Sequence, residues 1–508
     1  MTSLPPVSKP KRPSPLLSIP FRQPQNPWTP VDILTGEQVE QLHNASMEIL
    51  ENTGIDFLDD ETLTLWEKAG AKVDRAARHV WIDRGLIESA IASAPAEFDW
   101  YARNPAHNLH IGGNTFAFGP CGGMVYASSL EEARHPGTLA DYDNFLRLTQ
   151  MAPVIHFGPW EQVTPQDVEV SERHLQRLRS GILLTDKVLL EAAHGRIIST
   201  DNIALAKIAF GANSPPGPII GDVINVNSPL RYDKRMLGGL ITYARAGQVT
   251  MITPFILAGA TSPITMAAAL AQQNAETLAG VALTQLVNPG APVLYGGFTV
   301  DMDMRSGNPA FGTPTGAWAA LAGAQLARYY KLPYRGGGGL TNSHLPDAQA
   351  VQESQWMLWS AIMGHAHVLM HSAGWLEAGL TASFEKFILD VESLAIFQDF
   401  FHGFEINTET LALDMIAQVG PGGHNLGTPH TMKRFRHAFY ESTINTRQNN
   451  KAWMDAGGLD ATQRAYVIWK QWLMEYTPPP LDPAIREEVE AYVERRSIEL
   501  NGVELYSD

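Results

Sequence analysis

Residues 333–349 read Pro-Tyr-Arg-Gly-Gly-Gly-Gly-Leu-Thr-Asn-Ser-His-Leu-Pro-Asp-Ala-Gln. A short strand-like entry is followed by four glycines and a polar cluster, and Pro346 and Asp347 then begin a long apolar helix. Glycines allow a ligand to approach the backbone closely, and polar groups just past a strand end meet at the mouth of a βα barrel. The stretch therefore predicts a barrel strand that leads into a binding loop. The alternative is a glycine-rich loop that binds nothing.

Strand-like runs recur along the chain at spacings of roughly thirty to forty residues, which is the length of one βα unit. The predicted strands cover residues 154–160, 181–190, 218–226, 249–257, 292–299, 333–340 and 365–373. An open parallel sheet would usually carry a phosphate-binding glycine signature near its first strand, and none is present. We therefore predict the α/β class, as a (β/α)8 TIM barrel whose eighth strand is not visible in the sequence.

The remaining sequence predicts additions at both ends of the barrel. Val39, Leu42, Ala45 and Ile49 follow amphipathic helical spacing, and Thr138 begins a helix with a capping box. The predicted domains are a proline-rich arm (1–35), an N-terminal helical and small β extension (36–150), the barrel (151–425) and a helical C-terminal segment (426–508). Because a proline-rich arm buries little surface, deleting residues 1–30 is expected to leave the fold unchanged.

Composition excludes several classes of protein. The net charge of −16 argues against binding to nucleic acid or to anionic lipid. Cys121 is the only cysteine, which excludes a Cys-rich zinc or iron–sulfur site and suits a reducing cytoplasm. No window approaches ~18 uninterrupted apolar residues, and no apolar segment follows the early basic residues as in a signal peptide. We expect a soluble cytoplasmic protein without a membrane partner.

Aromatic side chains near the predicted strand ends could bind a quaternary ammonium group, because ring faces attract cations. Nearby acidic side chains would add long-range attraction, although core packing explains any one of these rings equally well. The candidate substrate-binding residues are Phe255, Tyr295, Phe298, His367, Trp375 and Glu377.

Three histidines, at positions 365, 367 and 371, are spaced so that one face of a strand could carry them. A metal site is therefore geometrically possible. No supporting cluster of Asp or Glu is obvious, and histidines hydrogen-bonded within the barrel wall are the favoured reading. We assign no metal ion.

Taken in order, short motifs of the chain resemble the trimethylamine/betaine methyltransferase superfamily, in the members that lack pyrrolysine. The motifs lie at residues 118–120, 122–126, 258–263, 336–349, 372–380 and 420–424, and the resemblance spans roughly residues 35–475. It implies a TIM barrel that transfers a methyl group from a methylated amine to the Co(I) form of cobalamin, a corrinoid carried by a separate protein or free. Because the chain has only the twenty standard residues, the resemblance favours a quaternary amine such as glycine betaine.

The resemblance also implies roles for the loop. Asn342, Ser343 and His344 are the predicted catalytic residues, which orient the substrate carboxylate. Those predicted to contact the corrinoid cofactor are Gly336, Gly337, Gly338, Gly339, Asp347 and Gln349. The expected partners are a small methylated amine, a cognate corrinoid protein and further copies of the chain. Two rivals stay open, namely a metal-dependent barrel hydrolase or lyase and a non-catalytic betaine-binding sensor.

Overall fold

The structure is a computed structural model that describes residues 4–7 and 14–505. Residues 1–3 and 8–13 of the predicted arm lie outside the described residues, as do residues 506–508 of the predicted C-terminal segment. No helix within the described ranges has the length and apolar character that a bilayer crossing requires.

The region before the barrel combines short helices with small antiparallel sheets. Side chains of Thr35, Asp59 and Asp83 cap the first three helices, which is why each helix begins where it does. The elements are α1 (Gly36–Glu48), β1 (Ile55–Phe57), α2 (Asp60–Ala69), β2 (Lys72–Asp74), β3 (His79–Trp81), α3 (Arg84–Ile91), β4 (Phe98–Trp100) and β5 (Leu109–Ile111).

The next region alternates strands and helices and contains the barrel. Its elements are β6 (Ala117–Phe118), β7 (Tyr126–Ser128), β8 (His135–Pro136), α4 (Leu139–Met151), β9 (Phe157–Pro159), α5 (Arg173–Leu184), β10 (Val188–Leu190), α6 (Arg196–Phe210), β11 (Ile220–Val226), β12 (Arg231–Tyr232), α7 (Lys234–Arg245), β13 (Val249–Ala258), α8 (Met266–Val287), β14 (Val293–Gly296), β15 (Phe298–Met302), β16 (Pro309–Ala310), α9 (Pro314–Tyr329), β17 (Tyr334–Gly337), α10 (Ala348–Met363), β18 (Val368–Met370), β19 (Trp375–Leu376), β20 (Thr381–Ser383) and α11 (Phe384–His402). The predicted capping box at Thr138 is present at the start of α4.

Eight of these strands are parallel and pair in the order β6-β18-β17-β14-β13-β11-β10-β9. The two end strands meet, because the amide of His156, just before β9, donates to the carbonyl of Phe118 on β6 at 2.8 Å. A helix, from α4 to α11, follows each barrel strand before the next begins. The predicted (β/α)8 barrel is confirmed.

The strand that the sequence does not reveal is β6. It has two residues, and it lies before position 151, where the predicted barrel begins. The sequence around it predicts a small β element of the N-terminal extension, not a barrel strand. Its hydrogen bonds join it to residues far away in the chain: Ala117 N donates to His367 O and Gly119 N to Leu369 O, both at 2.9 Å. Pairing partners this distant leave no local pattern.

Two predicted strands are wrong in part. Residues 181–184 form the last turn of α5, and the strand begins only at Val188. In the predicted strand 365–373, only Val368–Met370 is extended within the sheet, and His365 and His371 have φ angles of 63° and 62°. The three histidines therefore do not share one face of a strand.

The amino-terminal end of the barrel is closed by the β4–β5 hairpin. Trp100 lies so close to Gly221 that a Cβ at that glycine would stand 2.4 Å from its ring. The barrel interior is filled by apolar side chains, with Val188, Val223 and Met251 among them. The packed lower half leaves the carboxyl ends of the strands as the open side.

The chain after α11 continues as helices joined by loops, and the first two of these helices lie before position 426, where the predicted C-terminal segment begins. Its helices are α12 (Thr408–Leu411), α13 (Leu413–Val419), α14 (Pro429–Arg434), α15 (Asn450–Asp455), α16 (Ala461–Glu475) and α17 (Pro483–Glu499). Trp469 on α16 stacks on Phe384 of α11 with ring centroids 4.7 Å apart. By contrast, Phe404 and Phe439 are 88% and 87% exposed, which suits a surface covered by another copy of the chain. The homo-oligomer stays a prediction.

The described part of the proline-rich arm is packed, contrary to expectation. Leu16 and Asn26 are buried, and the Asn26 side chain donates to the carbonyl of Ile362 at 3.0 Å. The carbonyl of Arg22 accepts a hydrogen bond from Nε2 of His156 at 3.0 Å. The arm thus takes part in the amino-terminal end of the barrel.

Candidate functional site at the barrel mouth

Six ring side chains cluster at the carboxyl ends of the barrel strands, and we call them the mouth cluster. His371, just after β18, lies 4.6 Å from Trp375 and 5.7 Å from Phe298 between ring centroids. The other contacts run from 5.0 to 5.7 Å and connect the remaining rings. The members are Trp160, Phe255, Phe298, Phe311, His371 and Trp375. Phe255 and Phe298 are half-buried and the others are buried, so the cluster offers ring faces beside an opening.

Arg335 on β17 lies at the inner edge of the mouth cluster. Its Nη2 is 3.1 Å from Nε2 of His371, and its Cζ is 5.1 Å from the centroid of Phe298. Burial, and next the Arg335 charge, hold the pKa of His371 well below its usual range, so this imidazole is neutral and its Nε2 accepts from the guanidinium. Burial lowers the pKa of Arg335 to about 10, which leaves it cationic at neutral pH.

The remaining donors of this pair have no partner. Nε and Nη1 of Arg335 and Nδ1 of His371 are buried and make no hydrogen bond with the described residues. Buried N–H groups are nearly always satisfied in proteins, so three unsatisfied donors in one place need an explanation. Sequence analysis did not single out Arg335, although an arginine between a tyrosine and a glycine-rich turn was a usable signal.

The predicted catalytic residues differ in whether their side chains are already hydrogen-bonded within the protein. Asn342 is fully engaged: its Oδ1 accepts from the amide of Phe311 at 2.6 Å and its Nδ2 donates to Pro309 O at 2.7 Å. The hydroxyl of Ser343 bonds within the loop, to Leu345 O and to Asp347 Oδ1, both at 2.9 Å. Only His344 is exposed, with Nδ1 3.1 Å from Glu377 Oε1. Its catalytic role stays a prediction.

The four glycines do not line an opening together, since three of them lie close against neighbouring side chains or backbone. A Cβ at Gly336 would meet Ala366 at 3.0 Å, outside the barrel, and one at Gly338 would meet Ser372 Oγ at 2.5 Å. Gly339 is placed similarly against Ser372 O, whereas Gly337 faces inward, towards Leu340 and Phe298. None of the four has a positive φ. Close strand packing therefore accounts for most of the glycine run.

Asp347 and Gln349, which were also predicted to contact the cofactor, belong to the start of α10. The Asp347 carboxylate accepts from the amide of Ala350 at 3.1 Å and so caps the helix. Gln349 is exposed and donates to Glu353 Oε1 at 2.9 Å. Their contact with a cofactor stays a prediction.

Two predicted substrate-binding residues lie away from the mouth. Tyr295 points outward from β14, towards α8, and its hydroxyl donates to Asn274 Oδ1 at 3.0 Å. His367 precedes β18 at the opposite end of the barrel, where Nδ1 accepts from Tyr334 N at 3.0 Å and Nε2 lies 3.2 Å from Gly113 O. Burial lowers its pKa to about 4. Both side chains hold the barrel wall together, so the prediction placed them wrongly.

The three histidines of the metal hypothesis do not lie close together. His365 lies between α10 and β18, with Nε2 2.9 Å from Trp28 O, while His367 and His371 lie at opposite ends of β18. Within residues 4–7 and 14–505, no three His, Cys, Asp or Glu side chains are grouped so that they could hold a metal ion.

Acidic residues near the mouth are paired with cations. Glu161 forms an ion pair with Arg177, which also bonds Glu191 at 2.6 Å. Glu377 pairs with Arg134 at 2.7 Å, and its hydrogen bonds and this charge lower its pKa despite partial burial. The predicted long-range attraction of these acids for a cation is therefore partly cancelled.

An apolar groove on the outside of the barrel does not coincide with this site. A cavity of about 790 Å³ lies between α1, α8 and α9, outside the barrel. Its lining contains no acidic, basic or phenolic side chain, so it offers no group for acid–base chemistry.

Comparisons with known proteins agree with the resemblance. Residues 8–501 match a family model described as trimethylamine methyltransferase (MTTB). A glycine betaine methyltransferase of Desulfitobacterium hafniense (strain Y51) is 39% identical over 471 residues, covering 92% of this chain and 98% of the relative. A trimethylamine methyltransferase, MttB, of Desulfitobacterium hafniense (strain DSM 10664 / DCB-2) is 31% identical over 465 residues, or 90% of this chain and 92% of that one.

Among solved structures, the monomethylamine methyltransferase MtmB of Methanosarcina barkeri is similar, with a TM-score of 0.49 and 10% identity. The match covers 93% of this chain and 89% of MtmB.

Proposed function

Because this chain belongs to the trimethylamine methyltransferase (MTTB) family and is thus a methyltransferase, we propose that it demethylates a quaternary amine, glycine betaine or a related betaine. The methyl group passes to Co(I) of a corrinoid that a separate protein presents, so the corrinoid is a second substrate. The mouth cluster carries the proposal: six rings are in contact with one another at the end of the barrel where such folds place their sites. Ring faces attract a quaternary ammonium group with no need for a hydrogen bond.

The proposed methyl transfer does not require the protein to supply a general acid or base. Co(I) donates an electron pair to the methyl carbon while the C–N bond breaks, and that bond's electrons remain on nitrogen as the lone pair of a neutral tertiary amine. Cobalt becomes methyl-Co(III), and no proton moves. Catalysis is then mainly positioning, for which a rigid, buried ring cluster is suited.

The mouth also suits approach by a large partner. β13 extends to Ala258 and pairs with β15 beyond the barrel proper, so the rim rises on one side of the opening. His344 is exposed at this rim, and Phe255 and Phe298 are half-buried beneath it. A corrin presented at the opening would reach a methyl group held against these rings.

The test monitors Co(I)-cobalamin spectroscopically with purified protein and glycine betaine. We expect Co(I) absorption to be replaced by that of methyl-Co(III), with one dimethylglycine formed per methyl transferred. Binding of glycine betaine without any methyl transfer would instead support the sensor. Loss of turnover after removal of a bound metal ion would support the metal-dependent rival.

A substitution at Trp375 tests the ring cluster. Trp375→Ala is expected to weaken glycine betaine binding about tenfold, roughly 1–2 kcal/mol, through lost cation–π and apolar contact. Trp375→Phe keeps a ring face but loses the hydrogen bond that Nε1 donates to Thr341 O at 3.1 Å. We expect it to lose less glycine betaine affinity than Trp375→Ala does. Dissociation constants from calorimetry, measured below each variant's melting temperature, check this.

Trp318→Ala is the matched control, because Trp318 is exposed and lies on α9 outside the mouth. Equal dissociation constants for Trp375→Ala, Trp318→Ala and the parent protein would remove Trp375 from the binding site.

A further inference from the structure

Arg335 is unusual among the buried cations of the described residues. Its side chain is 2% exposed, yet it forms no ion pair with an aspartate or glutamate among those residues. Arg177, also buried, has two glutamate partners. Leaving a charge buried and unpaired costs several kcal/mol, so chains rarely retain one without a ligand that neutralises it.

The unsatisfied groups around Arg335 are all donors. Nε and Nη1 of the guanidinium lack partners, and His371 Nε2 accepts from only one of the two N–H groups of Nη2. The other N–H of Nη2 lies beside an N–H of either Nε or Nη1, so one edge of the guanidinium still offers two neighbouring donors. A cationic group that offers two or more N–H donors in a dry site matches an anion with two acceptor oxygens. A carboxylate has that geometry, whereas an amine or an alcohol does not.

We propose that Arg335 binds the carboxylate of the substrate and that His371 is a positioning residue for it. This inference rests on the proposed function and narrows its substrate class to quaternary amines that carry a carboxylate beside the nitrogen. The guanidinium carbon lies 5.1 Å from the Phe298 centroid, so anion and cation subsites adjoin. A betaine with one carbon between nitrogen and carboxylate fits both at once, and the loop donors Asn342 and Ser343, already engaged, are not required.

Selectivity follows from the same arrangement. A substrate without a carboxylate, such as choline, leaves the buried guanidinium unpaired when it occupies the ring cluster. A site with unpaired polar groups discriminates strongly against an analogue that cannot satisfy them. We therefore expect glycine betaine to bind far more tightly than choline.

The experiment measures dissociation constants for glycine betaine and choline by calorimetry, without any corrinoid, in the parent protein and in Arg335→Met. Glycine betaine affinity is expected to fall about 100-fold, while choline affinity stays within about threefold. Because the variant removes an unpaired buried charge, its melting temperature without ligand is expected to equal or exceed that of the parent. Glycine betaine should no longer raise the melting temperature of this variant.

Arg305→Met is the matched control, since Arg305 is exposed in the β15–β16 turn and carries the same charge. Its dissociation constants should equal those of the parent. Arg335→Lys keeps the charge without the planar fork and is expected to bind glycine betaine with intermediate affinity. If Arg335→Met does not fold, the same comparison is made with Arg335→Lys.

Two results would overturn the inference. One is a variant at Arg335 that binds glycine betaine within about threefold of the parent. The other is an Arg335 variant whose affinities for glycine betaine and choline fall equally and whose melting temperature is lowered, as expected for a purely structural arginine. Failure of the proposed function is distinct, because the parent would then bind glycine betaine through Arg335 yet transfer no methyl group to Co(I).

Discussion

Deleting residues 1–30 is expected to destabilise the protein severely, because the arm supplies buried partners to the barrel. The deletion removes the Arg22 carbonyl that accepts from His156 Nε2, and the Pro24 carbonyl that accepts from the amide of Phe116 at 3.0 Å. Each buried donor left unsatisfied costs about 1–3 kcal/mol. Loss of the buried Leu16 side chain adds about 1.5–3 kcal/mol. The sum reaches the range of a whole protein's stability, about 5–15 kcal/mol.

The measurement compares melting temperatures and soluble yields of three proteins. Deletion of residues 1–13 is the control, because it keeps Leu16, Arg22, Pro24 and Asn26, and we expect a much smaller fall in melting temperature. An unchanged melting temperature after deletion of residues 1–30 would show that these contacts contribute nothing to stability.

The barrel itself could be predicted from the sequence because its strands recur at the spacing of βα units. The arm and β6 could not, for a related reason. Leu16 and Asn26 stand among prolines that locally predict an extended, solvated chain, yet both are buried. The Asn26 side chain bonds Ile362 O, and the amide of Leu16 bonds the Thr443 hydroxyl, both hundreds of positions away. Likewise, the two residues of β6 become a strand through pairing with β18, which the sequence around position 117 does not encode.

Half of the ring cluster was also predictable. Phe255 and Phe298 lie near the ends of predicted strands, and Trp375 comes just after another. Tyr295 was misplaced because strands buried on both faces show no alternation of polar and apolar residues, so the sequence did not reveal that Leu294 faces inward and Tyr295 outward. Arg335 was missed because the glycine run that follows it predicts a binding loop, so the candidate residues were placed in the loop and not on the strand. Its register, inward on β17, emerges only once the sheet is known.

Lys187 is expected to be the most important single lysine for stability. It precedes β10 and is 1% exposed, and its ammonium donates to the carbonyls of Thr149, Ala152 and Ile155 at 2.6, 2.7 and 2.6 Å. These carbonyls belong to the last turn of α4 and the loop into β9, where helical N–H donors run out. Burial lowers the pKa of Lys187 to about 7, so its charged form, which opposes the negative end of the helix dipole, prevails below that pH.

Lys187→Met keeps the length of the side chain but removes all three donors. The buried carbonyls of Thr149 and Ile155 then lose their partner, whereas Ala152 O keeps the amide of Ile155 at 3.2 Å. We expect destabilisation of about 3–5 kcal/mol, since one unsatisfied buried group costs about 1–3 kcal/mol and water reaches only some of them. Lys207→Met is the control, because Lys207 is exposed on α6 and should change stability by less than about 0.5 kcal/mol. Equal unfolding midpoints for the two variants in denaturant would contradict the assignment.

The arm and Lys187 should also be coupled. Nζ of Lys187 lies 5.6 Å from the centroid of Phe21, whose ring in turn lies 5.4 Å from that of His156. Phe21→Ala and Lys187→Met therefore remove parts of one contact network, and their effects on the free energy of unfolding should not add. The double variant is expected to lose less stability than the sum of the single variants, by at least about 0.5 kcal/mol. Strict additivity in denaturant titrations would mean that the arm and the lysine stabilise this end of the barrel independently.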